Sequence, residues 1–290
     1  MTGPEWLERV RALVDAEVDG RIPSAAAEPR PLYEALRYAL LAPGKRFRPA
    51  LVLAAARWLG SPEPDVLPAA LALEFIHTYS LIHDDLPAMD DDDMRRGRPT
   101  LHRAMSEDLA ILAGDALQPM AFGLLAECRA APARVLEAIR LVAEAVGPQG
   151  LVGGQVRDLR PPTGGVRSGD DLLALHQDKT GALITAAAVL PAVLAGRDDA
   201  VAPLRRFGEA VGLAFQITDD ILDVAGSQAL MGKATGRDER QGKTTFVSVY
   251  GVAGAQARAR DLLAAAQAEV QGASADALHA LAAFVVERDH

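Results

Sequence analysis

Apolar residues recur at three- and four-residue spacing along nearly the whole chain, the period of helices that bury one face. The pattern predicts helices over 5–19, 31–41, 46–59, 66–86, 107–127, 132–146, 149–159, 169–195, 201–225, 244–271 and 274–287. Turn-forming groups separate them: Pro43-Gly44, Gly60-Ser61-Pro62, Gly97-Arg98-Pro99, Gly147-Pro148-Gln149-Gly150, Pro161 to Gly165 and Gly232 to Gly242. Few stretches alternate with period two, so a sheet is not expected. No segment reads as an interdomain linker and no fixed-period repeat is visible. The expected architecture is all-α, one large helical bundle spanning residues 1–290 as a single domain.

Composition agrees with helix. Half of the 290 residues are hydrophobic but only 4% are aromatic, with Ala and Leu supplying much of the apolar content. A formal net charge of −9 argues against nucleic acid as the main partner. It would argue against an anionic substrate too, unless local cations and bound metal reverse the sign at the site. The single cysteine, Cys128, excludes an intramolecular disulfide framework and a cysteine-based zinc site, and reads as a small helical residue. No run reaches about 18 uninterrupted apolar residues, so no transmembrane helix and no stable membrane insertion are expected. The N-terminal MTGPEWLERVRALVDAEVDG is acidic and amphipathic and lacks a signal-peptide core, which gives a cytoplasmic expectation.

Two aspartate clusters change the picture. The first runs from Asp84-Asp85 through Asp90 to Asp93, after the apolar stretch LALEFIHTYSLIH at 71–83. Asp84 and Asp90 are six residues apart and cannot share a face of a regular helix, and Pro87 disfavours an undisturbed one. The chain must bulge or turn if both are to meet one ion. Arg95, Arg96 and Arg98 follow at once. Metal ions and bidentate arginine forks together suit a diphosphate, although a self-neutralising charged loop fits this segment alone. In the second cluster, Asp219 and Asp223 stand at i and i+4 on one helical face. Asp220 points about 100° away, as a residue supporting the ligands would. Carboxylates crowded this tightly call for cations between them, and Mg²⁺ suits the task because it takes one or two carboxylates and completes its shell with water and phosphate oxygens.

Other segments are compatible with the same chemistry. The stretch Gly232 to Lys243 carries Lys233 and Lys243, either a phosphate clamp or a loop of solvated lysines. Pro43-Gly44-Lys45-Arg46-Phe47-Arg48-Pro49 packs three cations at a helix start, an anion site or a basic helix end. His77 lies two turns before Asp84 on the same face, as a buried histidine or a donor to oxygen. Gly153-Gly154-Gln155 to Asp158 and Asp178-Lys179-Thr180-Gly181 are polar breaks in apolar helices, lining a cavity or marking kinks.

In order along the chain, GKRFRP, HDDLPAMDDDDMRRGRPT, GGQVRDL, DKTGAL, FQITDDILD and GKATGRD form a family signature, and the match runs from PGKRFRP to the closing FVVERDH. The chain resembles the trans-prenyltransferases (polyprenyl diphosphate synthases), and within them the bacterial farnesyl diphosphate synthases. The resemblance implies an isoprenoid synthase bundle around a deep central cavity, usually homodimeric. It implies Mg²⁺-dependent, head-to-tail condensation of isopentenyl diphosphate with an allylic diphosphate by ionisation, condensation and elimination. By the same resemblance Asp84, Asp85 and Asp90, with Asp219, Asp220 and Asp223, would gather three Mg²⁺ ions on the allylic diphosphate. Arg95, Lys179, Lys233 and Lys243 would touch that diphosphate. Lys45, Arg48, His77 and Arg96 would bind isopentenyl diphosphate, and Thr180 and Gln216 would line the region where the carbocation forms. Tyr79, five residues before Asp84, matches the farnesyl pattern of a cavity floor, which implies a C15 product, with C20 and C10 synthases as alternatives; a core aromatic is its other reading. Pro43 in place of a frequent glycine, Met231 in place of leucine and Thr-Phe-Val at 245–247 in place of Thr-Tyr-Pro are small departures. A terpene cyclase is disfavoured by the second aspartate cluster and by PGKRFRP. A metal-dependent phosphohydrolase built on His83-Asp84 leaves that second cluster unused, and a non-catalytic regulatory subunit would be expected to have lost motif carboxylates.

Overall fold

The computed structural model describes residues 2–160, 168–229 and 244–288. Lys233 and Lys243 lie outside them. Helices α1 (Gly3–Arg21), α2 (Arg30–Leu40), α3 (Phe47–Leu59) and α4 (Glu63–Asp84) lead to a two-stranded hairpin, β1 (Met94–Arg95) with β2 (Arg98–Pro99), and to a short helix α5 (Leu101–Ala104). Then follow α6 (Glu107–Ala126), α7 (Pro132–Val146), α8 (Leu151–Leu159), α9 (Gly169–His176), a π-helical turn Gln177–Gly181, α10 (Ala182–Leu194) and α11 (Asp198–Ala229). Helices α12 (Phe246–Glu269) and α13 (Asp276–Glu287) complete the described chain, with a 3₁₀ turn between them. The fold is all-α.

Local chemistry sets several helix ends. Thr2 and Glu5 form a capping box on α1, Ser168 and Asp171 on α9, and Thr245 and Ser248 on α12. Gly60, at φ 72°, closes α3 in the left-handed conformation that glycine adopts without steric cost. The sequence pattern joins 169–195 into one helix and 244–271 into another; the structure breaks both. Residues 177–181 take a π-helical turn, and Gly251 at φ 69° kinks α12. The hairpin and α5 also go beyond the predicted elements.

The core sits around α3, α4 and α10, which are apolar on nearly every face and buried on nearly every face. Helices α6 and α7 pack against them from outside and α11 closes the other flank, with α12 packed on α11. A smaller apolar cluster joins Leu172, Leu175, Leu213, Ile217 and Phe246 beneath the second aspartate cluster. Helices α4 and α6 are long and apolar enough to cross a membrane, a difference from the sequence reading, which counted uninterrupted apolar runs rather than window averages. Helix α4 spends that apolarity inside the bundle, where 78% of its most apolar window is buried.

The charged pair Arg46–Glu74 lies inside this core. Arg46, held at φ 49°, donates from Nη1 to Glu74 of α4 at 2.7 Å, from Nε to Asp15 at 2.8 Å and from Nη2 to the Leu40 and Ala42 carbonyls. The Arg46 and Glu74 side chains are 2% and 3% exposed, so removing one partner strands a buried charge. Glu74→Ala is expected to destabilise the protein by about 3–5 kcal/mol in urea denaturation; a loss below about 1 kcal/mol would contradict the buried-pair assignment.

Candidate active site

The first acidic loop is made by the chain folding back on the end of α4. The Asp84 carbonyl accepts the Asp90 N–H at 2.9 Å, the Asp85 carbonyl accepts that of Asp92 at 3.1 Å, and the Leu86 carbonyl accepts those of Met89 and Asp91. Asp91 takes φ 51° to make the reversal. The six-residue separation is thereby closed by a turn, and Asp90 lies against Asp84. Asp85 is buried, and its Oδ1 accepts Arg95 Nε at 2.6 Å. Arg95 also reaches Asp92 at 3.4 Å. Burial pushes the Asp84 carboxyl up to about 6; Lys179 opposes that rise, and Asp90 and Asp85 add to it.

The hairpin aims Arg96 away from this loop. Arg96 and Gly97, at φ 52° and 74°, are the central pair of a two-residue turn in which both positions need positive φ. Glycine or asparagine is the usual choice there, so an arginine in the left-handed region is a strained placement. Its Nη1 donates to the Pro43 carbonyl at 2.9 Å, over Gly44, where a Cβ would lie 2.5 Å from that nitrogen.

Arg96 thereby enters a cavity of about 560 Å³ that is also lined by Lys45, Arg48, His77, Phe215 and Arg288. Arg48 is enclosed; burial lowers its guanidinium to about 10 and Glu74 partly offsets the fall. Its Nε has no hydrogen-bond partner among the described residues. His77 is pushed well below the usual histidine range, by burial first and then by Arg48 and Arg96, so its imidazole is neutral. Lys45 Nζ stands 5.5 Å from the Phe284 ring, and its pKa is lowered by burial and by Arg288.

The second cluster is linked to the same cavity through Arg288. Arg288 donates to Asp219 Oδ1 at 2.5 Å and to the Phe215 carbonyl at 3.0 Å, with its guanidinium 3.9 Å from the Phe215 ring. Burial raises Asp219, and Arg288, Lys45 and Arg48 pull it back. Asp220 is turned inward and buried: Oδ1 accepts Gln216 Nε2 at 3.0 Å and Oδ2 accepts the Phe246 N–H at 2.8 Å. Phe246, which the sequence marks only as a departure, is fully buried and stacks on His176. Asp223 follows Asp219 by one helical turn of α11.

The π-helical turn connects the two clusters. Thr180 Oγ1 donates to Gln216 Oε1 at 3.3 Å, and Lys179 Nζ donates to Asp158 of α8 at 2.6 Å. Glycines let the turn approach on both sides: a Cβ on Gly154 would lie 2.4 Å from the Lys179 nitrogen, and one on Gly212 2.8 Å from the Gly181 Cα.

Three residues of this arrangement are missing from the sequence-based set: Glu74, Asp158 and Arg288. Only their context held a signal, Asp158 in the polar break GGQVRDL and Arg288 at the end of an apolar helix. Among the described residues no three carboxylates or imidazoles converge into a preformed ion cage. All-oxygen donors, paired at Asp84–Asp90 and at Asp219–Asp223, still fit Mg²⁺, which relies on few protein ligands and on substrate phosphates.

Residues 29–283 match the Polyprenyl synthetase family. The chain belongs to that family. This polyprenyl synthetase is a prenyltransferase. It is 46% identical over 272 residues, 91% of its length and 78% of the relative's, to a chloroplastic geranylgeranyl pyrophosphate synthase of Arabidopsis thaliana. It is 40% identical to the farnesyl diphosphate synthase of Haemophilus influenzae, covering 98% of each chain. An FPP/GFPP synthase structure from Zymomonas mobilis superposes with a TM-score of 0.86 at 37% identity, covering 97% of each chain.

A metal-free site of crowded carboxylates weakens the fold that holds it. Asp84 binds its proton more tightly folded than unfolded, so its contribution is fully present below about pH 3.8 and lost as pH rises through about 6. At neutral pH the ionised group costs on the order of 3 kcal/mol. Asp84→Asn is expected to raise the melting temperature of the metal-free protein at pH 7.5, with the gain vanishing near pH 4. An unchanged melting temperature at pH 7.5 would show that the carboxylate is not strained.

Proposed function

We propose that this polyprenyl synthetase condenses isopentenyl diphosphate with dimethylallyl or geranyl diphosphate, head to tail and with Mg²⁺, to give mainly farnesyl diphosphate. The observation that carries this reading is the shared cavity of Lys45, Arg48, His77 and Arg96, which adjoins an acidic cluster through Arg288. Two anionic groups need two sites of different kind. The cationic cavity suits the diphosphate that stays intact, and the acidic walls suit the one that leaves with metal.

In this reading Asp84, Asp90, Asp219 and Asp223 would hold the ions, three in number. Bound Mg²⁺ supplies the charge that stabilises the departing diphosphate. Asp85 keeps Arg95 at the loop, and Asp158 keeps Lys179 at the π-helical turn, each ready to move to a phosphate oxygen as substrate arrives. Asp220 orients Gln216, which with Thr180 lines the reacting centre. Lys233 and Lys243 would touch the departing diphosphate. Neutral His77 donates to the second diphosphate without adding charge, while Lys45, Arg48 and Arg96 neutralise it. The double bond then attacks the cation, and the departed diphosphate takes the proton.

The C15 reading is supported by Tyr79, which is 4% exposed and one helical turn before His83, against whose ring it packs edge-on at 5.8 Å. Its hydroxyl has no hydrogen-bond partner among the described residues. The relatives carry names of both chain lengths, and product size decides between C15 and C20. A homodimer is supported by the apolar side chains left exposed on α6 and α7: Ile111, Leu112 and Leu136.

Incubation with Mg²⁺, isopentenyl diphosphate and dimethylallyl diphosphate is expected to give mainly C15 product, and none with chelator. Tyr79→Ala is expected to shift the product to C20 and longer. A wild-type C20 product would sink the floor assignment, and no elongation from any allylic starter would sink the reaction. Arg288→Gln is expected to raise the KM for isopentenyl diphosphate by roughly tenfold, the loss of one charge-assisted contact; an unchanged KM would remove it from that subsite.

A further inference from the structure

The first acidic loop is held from behind by a pair of residues outside both the acidic loop and the basic cavity. Thr100 starts α5 with N-cap backbone geometry but makes no side-chain cap bond. Threonine at that position ordinarily turns its hydroxyl onto the helix. Here Oγ1 reaches the Asp92 carbonyl at 2.7 Å instead, and the Thr100 N–H donates to the Asp93 carbonyl at 3.0 Å. Oγ1 also meets His102 Nδ1 at 3.2 Å. Both Thr100 and His102 are buried.

The direction of this chain of bonds is fixed by chemistry. A carbonyl only accepts, so the single hydroxyl proton of Thr100 goes to Asp92. Oγ1 must then accept from His102, which places that ring's proton on Nδ1. The other ring nitrogen, Nε2, is the atom that has no partner among the described residues. Asp92 is in turn the hinge of the loop: its N–H donates to the Asp85 carbonyl at 3.1 Å and its carboxylate meets Arg95. Arg103 of the same helix α5 pairs with Asp93 at 2.9 Å.

We propose that the relay from His102 through Thr100 to the Asp92 carbonyl positions the first acidic loop, keeping Asp90 folded back on Asp84 so that the two can share an ion. Thr100 and His102 are positioning residues and touch no substrate. The inference rests on the proposed metal–diphosphate role of that loop. It predicts a directional defect: loosening the loop weakens metal and allylic diphosphate and leaves the basic cavity intact.

Four variants test it: Thr100→Val and His102→Phe, which break the relay, and Thr100→Ser and His102→Asn, which keep a hydroxyl and a donor at the Nδ1 position. The half-saturating Mg²⁺ concentration and the allylic KM are expected to rise about 10–100-fold in the first two, the range for residues that orient metal ligands. The KM for isopentenyl diphosphate should stay within twofold, and the second two should behave like wild type. Calorimetric titration of Mg²⁺ with inorganic pyrophosphate should show the same ordering without turnover, and ¹⁵N spectra should place the His102 proton on Nδ1. Equal rises in both KM values, unchanged pyrophosphate binding in Thr100→Val, or an Nδ1 without a proton would each overturn the inference. A wild-type protein that binds Mg²⁺ with pyrophosphate but does not condense would overturn the proposed reaction and leave the relay to be judged by the titration.

Discussion

Helix α4 has to be apolar on every face to sit in the core, yet it carries Glu74 and His77 in its buried length and ends in Asp84-Asp85. Charge enclosed in that way persists only with partners supplied from elsewhere in the chain. Arg46 answers Glu74 from the start of α3, Arg95 answers Asp85 from the hairpin, and Lys179 faces Asp84 from the π-helical turn. Each partner comes from a segment that departs from regular helix, and each departure has a local cause. Arg46 and Arg96 accept left-handed backbone, Gly44 clears room for Arg96, and Gly154 and Gly212 let the π-helical turn press inward. The functional geometry is thus the set of solutions to one problem, how to neutralise the charges that α4 brings to the centre of the bundle.

Several cations around the site are paired with carboxylates of the chain itself. Arg95 and Lys179 are occupied by Asp85 and Asp158, and Asp219 by Arg288. Substrate and ions have to replace these pairs, and because the replacement happens in a partly buried setting, each exchanged contact is stronger than the same contact in water. Arg288 holds the most consequential position. Stacked on Phe215, it touches the second acidic cluster and lines the basic cavity, so one guanidinium spans both halves of the site.

The helical fold was legible because three- and four-residue periodicity survives even where a helix is buried all round. The family signature was legible because its motifs keep their order. What periodicity could not convey were the departures from it. The π-helical turn at 177–181 retains helical spacing of apolar residues on either side, so 169–195 read as continuous. The hairpin is set by two positive-φ residues, one of them an arginine that no turn preference would select. The near-orthogonal directions of Asp219 and Asp220 followed from helical geometry alone. Their partners did not: Phe246 supplies a backbone N–H from 26 residues away and Arg288 a guanidinium from 69. The fuller burial of Asp85 was equally invisible, since adjacent aspartates look alike in a sequence.

In the proposed reaction the two acidic walls act on one metal–diphosphate group while the basic cavity holds another diphosphate. Crystals grown with Mn²⁺, inorganic pyrophosphate and isopentenyl diphosphate test it directly through anomalous scattering. Manganese is expected at Asp84–Asp90 and at Asp219–Asp223 sharing one pyrophosphate, with isopentenyl diphosphate on Arg48, His77 and Arg96. Manganese confined to one wall, or pyrophosphate in the basic cavity with no metal at either wall, would contradict it.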